Sequence, residues 1–293
     1  MQPVIVHDGT PYERILAVAD IHGGHTALAA LLAEVQPGWQ DLFVTLGDYI
    51  DRGPDSRQVL AELRQCANYT NTVCLRGNHE GMFLLAMSPA AEVPDLYDNI
   101  PGTPAFLAEN IRMWLGNGGL ETLASYCQGA GAAVQKSFNS LKKVYQSRFW
   151  FQLKHISTGD ALIEHCAALA QLIPPEDFAF MRTTCVDALA SRQHIFVHGG
   201  YDPQQTLDKQ RLFTLHWARP PDVCAFMDTT LVVGHQIMRN RLPKDIGSLL
   251  YLDTGSSCVV DGRLTCMDVQ TREFWQADQA GRICHSGKLT PIS

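Results

Sequence analysis

The sequence predicts an α/β fold: a mostly parallel sheet flanked by helices and interrupted by a long helical insertion. Three observations predict it. The N-terminal part alternates β-branched runs with amphipathic helical segments, the middle is dominated by helical periodicity, and the C-terminal part returns to short runs bounded by turn residues.

Taken in order, 14–20, 41–48 and 71–78 are apolar or alternating runs, each closed by a polar residue, and they read as strands. Segments 27–35 and 56–66 read as crossover helices. In the second, Val59, Leu60 and Leu63 form one stripe behind Pro54 and a capping pair of Asp55 and Gln58. Strand, helix, strand, helix, strand is the pattern of parallel pairing with right-handed connections. Helical signals then hold from Glu80 to Gln193. Thr103-Pro104 opens a helix carrying Leu107, Ile111, Trp114 and Leu115, and Gly118-Gly119 closes it. Strand patterns resume at 194–198, 229–235 and 248–253, with a hairpin expected around 260–263 and antiparallel pairing in this last part. Without an internal repeat, low-complexity tract or linker, the chain reads as one domain over 1–293 that includes the helical insertion at about 80–193.

With 293 residues, 46% of them apolar and 18% charged, the chain can bury a full core. A net charge of -7 argues against a broad surface for nucleic acid or anionic membrane, so any affinity for phosphate must be local. There is no apolar run of the roughly 18 residues that span a bilayer, nor a signal-peptide pattern at the start, and the expected location is cytoplasmic. Nine cysteines, an odd number without a C-x-x-C pair, argue against a disulfide framework or zinc ribbon; small buried hydrophobes in a reducing compartment are expected instead.

Five strand ends place a metal-ligating residue type beside glycine: Asp20-Ile21-His22-Gly23, Gly47-Asp48, Gly77-Asn78-His79, His198-Gly199-Gly200 and Gly234-His235. Functional groups gather at the carboxyl ends of strands in open α/β sheets, so these positions should converge on one edge. The residue types suggest two metals: Asp20, His22 and Asp48 for one, and Asp48, Asn78, His198 and His235 for the other, with Asp48 bridging. Mixed carboxylate, imidazole and amide ligands suit manganese, with iron or zinc as alternatives. Two such ions about 3.5 to 4 Å apart activate a water and clamp an in-line displacement at phosphorus. Beside them, Asp51 is placed to hold His79 as the proton donor to the leaving alkoxide. Arg52 is a bidentate phosphate clamp, and Arg219 a second candidate clamp.

At these residues the chain resembles the phosphoprotein phosphatase family of metallophosphoesterases, whose pattern is D-x-H-G, G-D-x-x-D-R-G, G-N-H-E and two downstream histidines. The resemblance continues, as in bacterial members, through Trp114 to Gly119 with Thr122, Ser125 and Tyr126, through Gln210 and Trp217-Ala218-Arg219, to Leu252-Asp253-Thr254-Gly255. It implies a calcineurin-like β-sandwich flanked by helices. It also implies hydrolysis of phosphomonoesters by direct attack of a metal-bound hydroxide, with phosphoserine or phosphothreonine proteins or peptides as substrates and phosphotyrosine as a further option. A diadenosine tetraphosphate hydrolase, or another nucleotide phosphoesterase of the same fold, is the alternative. An inactive phosphopeptide-binding scaffold is the third reading, and the intact ligand set argues against it. Two departures stand out: Ala19 replaces the usual glycine before the first aspartate, and the stretch between His79 and His198 is longer than in compact members.

The remaining histidines, His7, His25, His155, His165, His194, His216 and His285, read as ordinary satisfied polar groups. Glu80 reads as a helix-start carboxylate. Asp253 reads equally as a support for a ligand or as a turn former.

Overall fold

The computed structural model describes residues 5–6, 12–88, 96–97, 103–146, 159–220 and 229–291; His7, His155 and Cys224 lie outside them. A short strand, β1 (Ile5–Val6), precedes β2 (Arg14–Val18), α1 (His25–Val35), β3 (Asp41–Thr45), α2 (Ser56–Cys66) and β4 (Asn71–Cys74). Strands β2, β3 and β4 pair in parallel, with Ala17 opposite Val44 and Val44 opposite Val73, as the alternating pattern predicts. The anticipated Asp55–Gln58 cap is not made. Asp55 accepts no helix N–H through its side chain, and the N–H of Arg57 instead donates to Ser125 Oγ at 3.3 Å, so the start of α2 is satisfied from a distant part of the chain.

The helical region comprises α3 (Asn78–Met87), α4 (Pro104–Trp114), α5 (Leu120–Cys127), α6 (Ala132–Gln146), α7 (Gly159–Ala170) and α8 (Pro175–Ala179). Thr103 caps α4 as expected, its hydroxyl accepting from the N–H of Phe106, with Pro104 in the first turn. Gly118 and Gly119 close the helix as expected: Gly118 takes φ +107°, outside helical geometry, and the chain kinks there before α5 begins at Leu120. The region is shorter than its sequence suggests. The chain rejoins the sheets at Val186, which bridges Leu75 beyond the end of β4, and Leu189–Ala190 then forms β5, too short to give a periodic signal.

The C-terminal part contains β6 (His194–Val197), α9 (Leu212–Trp217), β7 (Thr230–Val233), β8 (Lys244–Asp245), β9 (Leu249–Tyr251), β10 (Leu264–Asp268), β11 (Glu273–Ala277) and β12 (Ile283–Lys288). Two six-stranded sheets result, in the orders β1-β5-β6-β7-β9-β8 and β12-β11-β10-β2-β3-β4. Contrary to the expected antiparallel run, β6, β7 and β9 are parallel; the antiparallel pairs in this part are β8–β9, β10–β11 and β11–β12. Residues 260–263 are not a hairpin turn either, because β9 and β10 belong to different sheets. The hairpin lies between β10 and β11, where Asp268 pairs with Glu273.

Alternation along the strands builds the sandwich. Ile15, Ala17 and Ala19 join Leu42, Val44, Phe196, Val232, Leu250 and Met267 in one core between the sheets. Leu16 and Val18 face the other way, into a second core with Leu28, Leu31 and Phe43 that continues through the helices to Phe83, Trp114 and Leu162. Trp114 is fully buried and stands edge-on to Phe83, with ring centroids 5.5 Å apart. Among the described residues, no helix is long and apolar enough to cross a membrane.

Candidate functional site

Each of the five segments singled out in the sequence begins where a strand stops. Asp20 follows β2, Asp48 follows β3, Asn78 opens α3 beyond β4, His198 directly follows β6, and His235 follows β7. Asp20, His22, Asp48, Asn78 and His198 are buried, and His235 is half-buried. The backbone is unusual here. Asp20, His22, Asp48, Asp51, Arg52 and His235 all have φ between +45° and +73°, a region that costs a non-glycine residue on the order of 1 kcal/mol or more and persists only where the surroundings enforce it.

Two groups of side chains meet at Asp48. The ligating atoms of His22, Asp48 and His79 lie within 4.8 Å of one another, and so do those of Asp48, His198 and His235. Asn78 joins the second group: its Oδ1 is 2.9 Å from His198 Nε2 and 3.1 Å from His235 Nδ1. Nδ1 of His22 donates to the carbonyl of Ile50 at 2.9 Å, and Nδ1 of His198 donates to that of Leu46 at 2.8 Å. Both rings thus turn Nε2 toward Asp48, at 3.6 Å and 3.4 Å. Asp20 differs from expectation in one respect: both its carboxylate oxygens accept from the backbone N–H of His235, at 3.0 and 3.1 Å, tying the first strand end to the last. Asp253 takes the turn-former part, accepting from the N–H of Gly255 at 2.8 Å, and its buried carboxyl neighbours that of Asp20.

His79 stands between this centre and a buried carboxylate. Its Nδ1 is 2.7 Å from Asp51 Oδ2, and its Nε2 is 3.8 Å from Asp48 Oδ2. Asp51 also accepts from Trp114 Nε1 at 3.0 Å and from Thr122 Oγ1 at 2.6 Å. Trp114 and Thr122 are residues that sequence reasoning missed in this capacity. Trp114 falls on an apolar helical stripe that signals only core, and no local pattern links Thr122 to Asp51. Glu80 is more than a helix-start carboxylate: it is fully buried and accepts the N–H groups of Asp48, Tyr49 and Gly77 at 2.8, 2.8 and 2.9 Å, fastening the turn of Asp48 to the start of α3. Its place three residues after Gly77 is a capping spacing and was the available signal.

The electrostatics follow from burial and crowding. Burial, then the neighbouring Asp253, pushes Asp20 well above the usual carboxylate range, and burial raises Asp253 to about 6. For Asp48 burial acts upward, but His198, His79 and His22 outweigh it and hold the carboxyl well below its ordinary value. Burial would likewise lower His198, yet Asp48 and Asp20 lift it to about 10, while burial and the nearby His198 depress His235 to about 4.

Arg52 is exposed, with Nη1 2.9 Å from His22 Nε2, and its backbone N–H donates to the carbonyl of Gly118, at the kink between α4 and α5, at 3.3 Å. Arg219 is exposed just beyond α9 and forms no ion pair among the described residues; the preceding Ala218 packs against Gly199 and Gly200, behind His198. Of the ten site residues expected from sequence, nine are thus joined by direct contacts, and Arg219 is linked to them only through its neighbour Ala218. His216 donates through Nε2 to the buried Asp187 carboxylate at 3.1 Å and meets the Tyr97 hydroxyl through Nδ1 at 2.9 Å, and His194 packs on Phe196, so neither joins the centre.

Among curated proteins, the chain is 26% identical to serine/threonine-protein phosphatase 1 of Salmonella typhimurium over 270 residues, 88% of this chain and 93% of that protein. It is 41% identical to serine/threonine-protein phosphatase 2 of Escherichia coli over a shorter stretch of 76 residues, 26% of this chain and 33% of that protein. Among solved structures, a putative diadenosine tetraphosphatase superposes with a TM-score of 0.53 at 19% identity, covering 91% of this chain and 93% of that one, a likeness of fold. The sequence model of the calcineurin-like phosphoesterases matches residues 13–253, a span that takes in every strand end of the site from Asp20 to Asp253. On that match the chain belongs to the calcineurin-like phosphoesterase family.

Proposed function

We propose that the protein hydrolyses phosphomonoesters of serine and threonine side chains in proteins or peptides, with phosphotyrosine as a further substrate, and that Asp20, His22, Asp48, Asn78, His198 and His235 hold two divalent metal ions. The donor set fits such ions. Nε2 of His22 and of His198 are presented by rings whose other nitrogens are already committed to carbonyls, and the field of buried carboxylates that draws a proton onto His198 also draws a divalent cation. Imidazole, carboxylate and amide together suit manganese, with iron or zinc close behind. When bound, the metals supply activation of water and neutralisation of phosphate charge.

The observation that carries the reading is the His79–Asp51 pair. A seryl or threonyl alkoxide is a poor leaving group and needs a proton, whereas the phosphate leaving groups of a dinucleotide polyphosphate need little. A buried carboxylate keeps the His79 ring oriented, with Nε2 aimed at the centre to deliver that proton. Arg52, which is exposed, offers its guanidinium to the phosphate oxygens, and Arg219, exposed just beyond α9, is the second candidate cation. The homology to serine/threonine phosphatase 1 over most of the chain supports the same choice.

The test is a panel of phosphoserine, phosphothreonine and phosphotyrosine peptides beside diadenosine tetraphosphate, assayed with added manganese and with metal content measured on the purified protein. Phosphate release from the serine and threonine peptides is expected. Turnover confined to the dinucleotide would reject the reading in favour of a nucleotide phosphoesterase, and binding of phosphopeptides without any turnover would favour a scaffold.

A further inference from the structure

A thiol stands beside Arg52. Sγ of Cys258 lies 3.0 Å from Arg52 Nη1, though 206 residues separate them in sequence. The turn that brings it there is laid directly on the site. Cys258 closes a tight turn onto Gly255 through its N–H, at 3.1 Å, and Ser256 Oγ reaches the carbonyl of Ile21 at 3.4 Å. Ser257 is held at φ +54°, and its Oγ would be 2.8 Å from a Cβ on Gly53, which would also collide with the carbonyl of His22. Glycine at 53 is what lets the two turns touch.

The same Nη1 of Arg52 that meets Cys258 also meets Nε2 of His22. In the function proposed above, that nitrogen belongs to a metal ion. Its lone pair then accepts nothing from Arg52, and among the described residues Cys258 is the side chain left to receive the guanidinium. We propose that Cys258 is a positioning residue: its Sγ holds the guanidinium of Arg52 toward the metal edge and so sets the affinity of the site for phosphate. The inference rests on the phosphate-clamp role of Arg52. Burial raises the thiol to about 12, so it acts as a neutral acceptor and not as a thiolate nucleophile or redox switch. A thiol accepts weakly, which limits the effect to about that of one ordinary hydrogen bond.

The experiment compares wild type, Cys258→Ala, Cys258→Ser, Arg52→Ala and the Arg52→Ala/Cys258→Ala double variant, each loaded with manganese. Two quantities are read: the dissociation constant of inorganic phosphate by titration calorimetry, and KM and kcat for p-nitrophenyl phosphate. Melting temperatures verify folding. Cys258→Ala should weaken phosphate and raise KM by about five-fold, with kcat changing less, and Cys258→Ser should restore most of the loss. In the Arg52→Ala background the cysteine change should add nothing. A silent Cys258→Ala beside an impaired Arg52→Ala, or a cysteine effect of equal size with and without Arg52, would overturn the proposal alone. An Arg52→Ala variant with unaltered phosphate affinity would overturn the clamp reading and this proposal with it.

Discussion

His79 and Asp51 form a hydrogen-bonded pair at 2.7 Å in which neither side chain reaches solvent, His79 being 1% and Asp51 0% exposed. A proton donor held in this way should matter in proportion to how badly the leaving group needs the proton. His79→Asn is therefore expected to lower kcat by about 10² to 10⁴ on phosphoserine peptides, with metal content retained. On p-nitrophenyl phosphate the loss should be much smaller. Equal losses on both substrates would exclude this role for His79.

Asp51 is caged by donors from the helical region, so that region reaches the chemistry through Trp114 and Thr122. Thr122→Val keeps the shape and removes a donor to a buried carboxylate, which should lower kcat by about tenfold at nearly constant KM. Thr122→Ser should recover most of it. Trp114→Phe should show a similar kcat loss together with a lower melting temperature, because its ring fills the core beside Phe83. Wild-type kcat in Thr122→Val would show that the cage is structural only.

Asp48 is the residue common to both candidate metal groups. Asp48→Asn removes negative charge from each at once, and activity and metal content should be lost together. Metal analysis of the purified variant decides the matter: near-normal stoichiometry with normal turnover would remove Asp48 from the bridging position.

His194 offers a prediction independent of the site. Burial, reinforced by Arg272, holds its imidazole down at about 4 against 6.5 in an unfolded chain. Between these values the unfolded chain binds a proton that the folded chain does not, so stability is full above about pH 6.5 and falls as pH drops toward 4. From pH 7.5 to 5 the loss from this one residue should be about 2 kcal/mol. In His194→Phe, which retains an aromatic ring against Phe196, urea unfolding should show a correspondingly smaller pH dependence. An unchanged dependence would mean that His194 takes up a proton inside the fold.

Strand ends carrying polar residues beside glycine were legible because a parallel strand writes its direction and its functional edge into the same few residues. That led to the strand ends where Asp48, Asn78, His198 and His235 stand side by side. The pairing of the later strands was not legible: β7 and β9 are parallel although only a short connection containing β8 separates them in the chain. Nothing local distinguishes that arrangement from a meander. The donors to Asp51 escaped for a different reason. An indole N–H inside an apolar stripe looks the same in sequence whether it meets a carboxylate or nothing. Left-handed backbone at Asp20, His22 and Asp48 was equally invisible, since tertiary contacts impose it against local preference.

The register of β10 against β2 has a consequence for how the protein is made. Cys266 lies opposite Val18, so the strand that delivers Asp20 acquires its second neighbour only from a strand far downstream in the sequence. A nascent chain leaving the ribosome must keep β2 as an open edge until β10 has emerged, and contacts of such sequence separation form slowly. The loop bearing Asp20 and His22 should accordingly be among the last parts to acquire native order. Pulse-labelled hydrogen exchange during refolding would then find amides of β3 and β4 protected before those of residues 19–24, and a chain released before β10 emerges would be prone to edge-to-edge association.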